Sequence, residues 1–298
     1  MPETTYRANC HCGKFVYEAT LPEPLTEVYA CNCSVCTKKS YLFAFEPKSG
    51  INIVKGSLDE LKSYTFGDKY VHKFCGDCGS PVLVISNEPG RGKALNTRCF
   101  QNVDVWSLKK IPFDGASLPS PYKEPEFTGN EPTGEPIGGG KPTIYHGGCH
   151  CGAVRLSVRC QPLDDSLSPA KEGDRIVECN CSICNRNGYR WFYPKVDQVT
   201  VQDPGSSMVK YVFGKHVSSK SFCGKCGVPL ITGSVHLSED ELAKLPDYCR
   251  TDAANAWRAH VHGMCPINTR VLHGVDLDKL PIKFHQGDTL MQPLYVNP

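Results

Sequence analysis

CNCSICNRNGYRWFYP, residues 179–194, places three cysteines within six positions, at Cys179, Cys181 and Cys184, with no fourth cysteine or histidine close behind. A closed zinc site takes four protein ligands, so the stretch is one short. The same shape stands at residues 31–47, CNCSVCTKKSYLFAFEP, with Cys31, Cys33 and Cys36. Adding 148 to Cys31, Cys33, Cys36, Cys75 and Cys78 gives Cys179, Cys181, Cys184, Cys223 and Cys226. Upstream, YRANCHCGKFVYEA from Tyr6 matches YHGGCHCGAVRLSV from Tyr145; downstream, LNTRCFQNVDV from Leu95 matches INTRVLHGVDL from Ile267, offset by 172. Self-similarity over nearly all of the 298 residues is the mark of a duplicated domain, with seven matched cysteines in each copy.

The changing offset locates what differs between the copies. Cys12 to Cys31 spans 19 residues and Cys151 to Cys179 spans 28, so the second copy holds 9 more, around DDSLSPAKEG. Between Cys226 and Asn268 it holds 24 more than its counterpart between Cys78 and Asn96. That insertion contains SEDELAKL, where Ser238 and Glu241 have capping-box spacing, and it predicts a short helix. Residues 123–143, beginning KEPEFTGNEPTGEPIGGGKP, are dense in Pro and Gly and read as a linker between domains 1–122 and 144–298. Elsewhere the apolar runs are short and rich in aromatic and β-branched residues. KFVYEA, YLFAFEP, INIV, PVLVIS, RWFYP, QVTVQD and VPLITG all read as strands. The expected fold is mainly β: two tandem zinc-binding β domains with a short helical insertion in the second.

Hydrophobic content of 40% against 21% charged residues fits a packed globular protein. A formal net charge of +2 gives no reason to expect nucleic acid or an anionic membrane as partner. No apolar run approaches the roughly 18–20 residues that span a bilayer, and MPETTYRANC lacks a secretory pattern, so a cytoplasmic location is expected. In that setting 18 cysteines point to metal ligation rather than to disulfides.

Seven cysteines per copy suffice for one closed set of four and one set of three. The knuckles FCGDCG (Cys75, Cys78) and FCGKCG (Cys223, Cys226) supply two ligands each and need a second pair. The C-x-C at Cys10/Cys12 or Cys149/Cys151 can provide it, which leaves each C-x-C-x2-C triplet as a unit. Spacing alone leaves a shared arrangement open. Four thiolates close a tetrahedral zinc site, whereas three keep a position for water or substrate.

Taken in order, C-H-C-G, C-N-C-S-x-C, F-C-G-x-C-G and N-T-R identify a likeness. Each copy resembles the glutathione-dependent formaldehyde-activating enzyme family, which includes centromere protein V. The resemblance covers both halves apart from the linker and the insertions. It implies an Mss4-like zinc-binding β domain. It also implies structural zinc on Cys10, Cys12, Cys75 and Cys78 and on Cys149, Cys151, Cys223 and Cys226. Catalytic zinc would then sit on Cys31, Cys33 and Cys36 and on Cys179, Cys181 and Cys184, about four ions in all. The implied activity is that of a carbon–sulfur lyase of the S-(hydroxymethyl)glutathione synthase kind, with glutathione as co-substrate.

Three thiolates on one zinc leave a net charge of about −1, a poor setting for generating hydroxide but a good one for a soft ligand such as an incoming thiolate. The expected partner is therefore a small-molecule thiol adduct. Lys38 and Arg186, two residues beyond the third cysteine, are candidates for a glutathione carboxylate, as are Arg98 and Arg270 of N-T-R. Asp104 and Asp276 are alternative partners for those two arginines. Asn96 and Asn268 read as turn caps, and Ser34 and Ser182 as supports of the thiolate turn. His72 is aligned with Lys220, so it reads as a packed or surface histidine rather than a shared base. The aromatic runs Tyr41–Phe45 and Tyr189–Tyr193 read as core, and Cys99, Cys160, Cys249 and Cys265 as free, mostly buried thiols. Two other readings remain: a non-catalytic zinc module for protein association, and a zinc hydrolase or dehydratase, which the all-sulfur ligand set disfavours.

Overall fold

A computed structural model describes residues 3–47, 50–118, 121–137, 139 and 141–298. The first copy runs β1 (Thr4–Asn9), β2 (Val16–Leu21), β3 (Glu27–Cys31), α1 (Ser34–Lys39), β4 (Phe43–Phe45) and β5 (Ile51–Lys55). It continues with β6 (Lys62–Thr65), β7 (Tyr70–Phe74), β8 (Pro81–Ser86), β9 (Lys93–Asn96) and β10 (Lys109–Phe113). The second copy repeats the order as β11 (Thr143–Gly148), β12 (Arg155–Cys160), β13 (Ile176–Cys179), α2 (Ser182–Asn187), β14 (Arg190–Phe192) and β15 (Val199–Gln202). Then come β16 (Met208–Val212), β17 (Ser218–Cys223), β18 (Pro229–Ser234), α3 (Glu239–Ala243), α4 (Asp252–His262), β19 (Ile267–Asn268), β20 (Ile282–His285) and α5 (Gly287–Leu290).

Each copy is a three-stranded sheet beside a seven-stranded one. The small sheets are ordered β1-β2-β5 and β11-β12-β15. The large sheets, β10-β3-β4-β9-β8-β7-β6 and β16-β17-β18-β19-β14-β13-β20, share one order read from opposite ends. Every run read as a strand from the sequence holds a strand. Alternation explains the half-buried ones: β2 turns Tyr17, Ala19 and Leu21 into the core, in one cluster with Cys10, Cys75 and Cys78. The knuckle cysteines are thus core residues as well as candidate ligands.

The expected helix in the insertion is α3, with Ser238 and Glu241 forming the capping box. The insertion also holds α4, whose N-cap Thr251 accepts from the Ala254 N–H. The triplet helices α1 and α2 were not foreseen. Each begins after an extended cysteine (Cys33 or Cys181) and stops at a left-handed residue, Ser40 at φ 50° or Gly188 at φ 57°. Residues 123–143 carry little regular structure but are not free of the core. Phe127, Pro132, Gly134 and Pro136 are buried, and Glu131 and Glu135 reach His146 and Arg159 of the second copy. The linker is a strap laid along β11 and β12. Among the described residues no helix is long and apolar enough to cross a membrane.

The two copies pack face to face around the knuckles. Phe74 and Phe222, the first residues of FCGDCG and FCGKCG, meet edge to face with centroids 6.5 Å apart. The glycines ending the knuckles make this approach possible: a Cβ on Gly79 would lie 2.6 Å from the Phe222 ring, and one on Gly227 2.5 Å from Phe74.

Candidate metal centres

Four groups of cysteines converge. Cys10, Cys12, Cys75 and Cys78 form one set of four and Cys149, Cys151, Cys223 and Cys226 the other; Cys31, Cys33 and Cys36, and Cys179, Cys181 and Cys184, form the triplets. Within each group all sulfurs lie within 4.8 Å of one another. Tetrahedral zinc with bonds of about 2.3 Å sets its sulfurs about 3.8 Å apart. The observed separations are 3.6 Å (Cys10–Cys12), 3.5 Å (Cys12–Cys75), 3.6 Å (Cys149–Cys151) and 3.7 Å (Cys151–Cys223), so the sets of four fit the ion. Backbone amides already face the sulfurs: the Phe15 N–H lies 3.3 Å from Cys10 Sγ and the Val154 N–H 3.2 Å from Cys149 Sγ.

The triplets sit where a strand hands over to a helix. β3 ends at Cys31 and β13 at Cys179, and each pairs in parallel with the last strand of its own copy. The Cys33 N–H approaches Cys31 Sγ at 3.5 Å, and the Cys181 N–H approaches Cys179 Sγ at 3.3 Å. The chain leaving β10 or β20 then closes over the first cysteine. Asn32 and Asn180 accept from the N–H groups of Ala116 and Asp288 at 2.8 and 3.1 Å, which seats Gly115 and Gly287 against the sulfurs. Among the described residues neither triplet gains a fourth Cys, His, Asp or Glu ligand. Hydrogen bonds from the other two thiols draw Cys31 and Cys179 down to about 3 and about 2. Cys36 and Cys184, hydrogen-bonded to those sulfurs and buried, are pushed well up. Proton sharing of this kind is what three thiols forced together do, and a cation in their midst relieves it.

A lysine also lies near each triplet, from non-equivalent positions: Lys39 is buried and faces Cys226 of the other copy as well as Cys36, and Lys220 is half-buried beside Cys184. In the first copy it is Lys39, one helical turn beyond Cys36, fully buried with Nζ 4.8 Å from the Phe74 ring centroid. Burial lowers Lys39 to about 8. In the second copy Asn187 takes that place and the cation is Lys220, 4.3 Å over Trp191, whose indole N–H donates to Cys184 Sγ at 3.4 Å. The aligned partner of Lys220 is His72, which is packed and uncharged, its pKa driven well down by burial and by Lys39.

The other sequence candidates have protein partners. Lys38 is buried, with Nζ 3.1 Å from Glu124 and 3.4 Å from the carbonyls of Gly148 and Val271. Arg186 donates to the carbonyl and side-chain oxygens of Asn9, both at 3.0 Å. The two cations therefore join one copy to the other. Arg98 donates to the Ser40 carbonyl at 2.7 Å and Arg270 to that of Gly188 at 2.8 Å, so the N-T-R arginines satisfy the ends of α1 and α2. Asp104 and Asp276 are not their partners; Arg270 pairs instead with Glu178 at 3.1 Å. Asn96 and Asn268 cap their turns. Tyr41, Phe43, Tyr189 and Trp191 are core, and Phe45 is exposed. Cys99, Cys160 and Cys249 are buried and Cys265 partly so.

Gly115 and Gly287 were missed by the sequence reading. The 172-residue offset of N-T-R continues through FDGAS (113–117) and HQGDT (285–289), but one shared glycine is a faint signal.

Fold and cysteine groups together define a tandem, mainly β protein with four thiol clusters that could each hold a metal ion. Residues 5–109 match the family described as glutathione-dependent formaldehyde-activating enzyme, a span that holds all seven repeated cysteines of the first copy. Residues 5–109 are thus similar to that family, and the second copy repeats the cysteine motifs that lie in this span. A crystal structure of a Rhodobacter sphaeroides protein is similar at 25% identity, over 36% of this chain and 97% of that one, with a TM-score of 0.32.

Proposed function

We propose that the protein is a zinc-dependent carbon–sulfur lyase, acting on the adduct of a small thiol, glutathione foremost, with an aldehyde or similar electrophile. The observation that carries this reading is the repeated contrast between a closed set of four cysteines and a set of three with no fourth ligand among the described residues. Zinc on three thiolates supplies a soft position suited to a thiol that has lost its proton. In the synthetic direction the thiol sulfur bonds to the carbonyl carbon and the thiol proton ends on the carbonyl oxygen; the lyase direction reverses both changes. The chain's own part is to hold the three sulfurs through α1, α2 and the glycine loops, and to offset their charge with Lys39 and Lys220. Lys38, Arg98, Arg186 and Arg270 serve that scaffold, so a glutathione carboxylate must be met elsewhere. In the first copy a cavity of about 220 Å³ is lined by Phe45, Val84, Arg91 and Ala94, and Val84 and Ala94 also pack in the Cys31–Cys33–Cys36 cluster. Arg91 is the exposed cation there.

The test is turnover of S-(hydroxymethyl)glutathione and longer 1-hydroxyalkyl adducts by the zinc-loaded chain. A Cys36→Ser, Cys184→Ser double variant is expected to lose at least 100-fold in kcat/KM, roughly the scale of removing a catalytic metal's stabilisation. Retained turnover in that variant would refute the reading.

A further inference from the structure

The middle residue of each C-H-C loop belongs, in space, to the other copy. His150 lies with Nε2 2.9 Å from Ser34 Oγ and Nδ1 2.6 Å from the Tyr64 hydroxyl, both of the first copy. His11 does the same in the second copy, 2.9 Å from Ser182 Oγ and 2.9 Å from the Tyr211 hydroxyl. A tail covers each ring. Tyr122 stacks on His150 at 4.0 Å and donates to its carbonyl, and Tyr295 stacks on His11 at 4.6 Å and does likewise. Phe66 and Phe213 close the sides, each with its centroid 4.6 Å from the histidine ring.

Both histidines are 97–98% buried, at 3% and 2% exposure for His11 and His150. A neutral imidazole has one donor and one acceptor nitrogen, and here both are used, twice over. Simple packing would not match both nitrogens to hydroxyls of the opposite copy in both halves. Ser34 and Ser182 are the first residues of α1 and α2, between the second and third cysteines of each triplet. Arg98 and Arg270 hold the far ends of the same helices. At the near ends the Ser34 and Ser182 hydroxyls are met from across the interface.

We propose that each cysteine triplet is positioned by the opposite copy: His150 fixes Ser34, and with it the turn carrying Cys33 and Cys36, while His11 fixes Ser182 and the turn carrying Cys181 and Cys184. His150 lies between Cys149 and Cys151, and His11 between Cys10 and Cys12, so the closed set of one copy sets the geometry of the open set of the other. These are positioning residues that touch no reacting atom. The inference rests on the triplets holding a metal, but not on the lyase chemistry.

The experiment uses the full chain loaded with cobalt(II) in two backgrounds: Cys181→Ser, which leaves the first triplet, and Cys33→Ser, which leaves the second. The affinity of the surviving triplet is measured by competition with a chelator, followed through the thiolate-to-cobalt absorption. His150→Phe in the first background and His11→Phe in the second are each expected to weaken it by roughly 10–100-fold, the usual effect of losing an outer-shell partner. His150→Gln, which can still bond both hydroxyls, should recover most of the loss. Ser34→Ala removes the same bond from the triplet's own side, so the test survives a His150→Phe chain that does not fold. If each histidine instead weakened the triplet of its own copy, or if Ser34→Ala and His150→Phe both left affinity within twofold of the parent, the proposal would be overturned. Adding glutathione reads the chemistry separately. Triplets that bind cobalt but show no spectral response to glutathione would count against the lyase reading and leave the crossed affinities standing.

Discussion

At Gly115 and Gly287 the backbone comes so near the first triplet cysteine that no side chain has room. A Cβ would lie 2.4 Å from Cys31 Sγ at the first position and 2.5 Å from Cys179 Sγ at the second. Sulfur is large and fixed here by the strand on one side and its neighbouring thiols on the other, so the clash has no easy outlet. Gly115→Ala should therefore displace Cys31 and empty the first triplet while the closed sets keep their ions. Zinc per chain, measured by plasma emission, is expected to fall from about four to about three. An unchanged count would mean that the loop, not the sulfur, gives way. Lys39 and Lys220 act at the same scale. A cysteine triplet with zinc carries about −1 charge, which burial makes costly unless a cation is close. Lys39 and Lys220 answer this from different elements, and the packed His72 aligned with Lys220 carries no charge in the first copy.

Elements explain how the ends of each copy are used. Tyr122–Pro125 (YKEP) and Tyr295–Pro298 (YVNP) occupy corresponding places, each crossing to the C-H-C loop of the opposite copy. Glu124 in the first tail lies 3.1 Å from Lys38 and 2.8 Å from His273. Burial works against its ionisation, yet the His273 hydrogen bond and the Lys38 charge bring the carboxyl down to about 2. Its folded value is below the ordinary 4.5, so its contribution is complete above pH 4.5 and fades as pH falls towards 2. Glu124 is 41% exposed, and solvent screening keeps the effect modest. Glu124→Gln is expected to lower Tm by about 2 °C at pH 7, with the gap to the parent closing below pH 4.5. A gap that widened in acid would contradict the assignment. The strands and the ligand sets were legible in the sequence because alternation and thiol spacing are local signals. The helices α1 and α2 were not: six residues cannot sustain a helix alone, and what stabilises them comes from Arg98, Arg270 and the facing histidines. The boundary at residue 122 likewise falls inside the repeated tail, since a four-residue likeness at a shifted offset is too short to weigh.

For the whole molecule, the duplication reads as two domains in sequence, but the contacts across the interface argue for one cooperative body. Nothing in either copy's sequence says which face it turns to the other. Ser34, Lys38, Arg186 and His150 each have a plausible role within their own copy, and only the fold shows their partners across the interface. Separating the copies would expose Phe74 and Phe222 and break the bonds of Lys38, Arg186 and both histidines together. Phe222→Ala is therefore expected to destabilise the whole chain, by about 3–5 kcal/mol as buried phenylalanine truncations do. Hydrogen exchange read by mass spectrometry can locate that loss. Protection in β8 of the first copy should fall along with protection in β18 of the second, by roughly a hundredfold or more at both. If only β18 and its neighbours lost protection, the copies would be independent domains that merely touch, and the crossed support of the triplets would lack the rigid frame it needs.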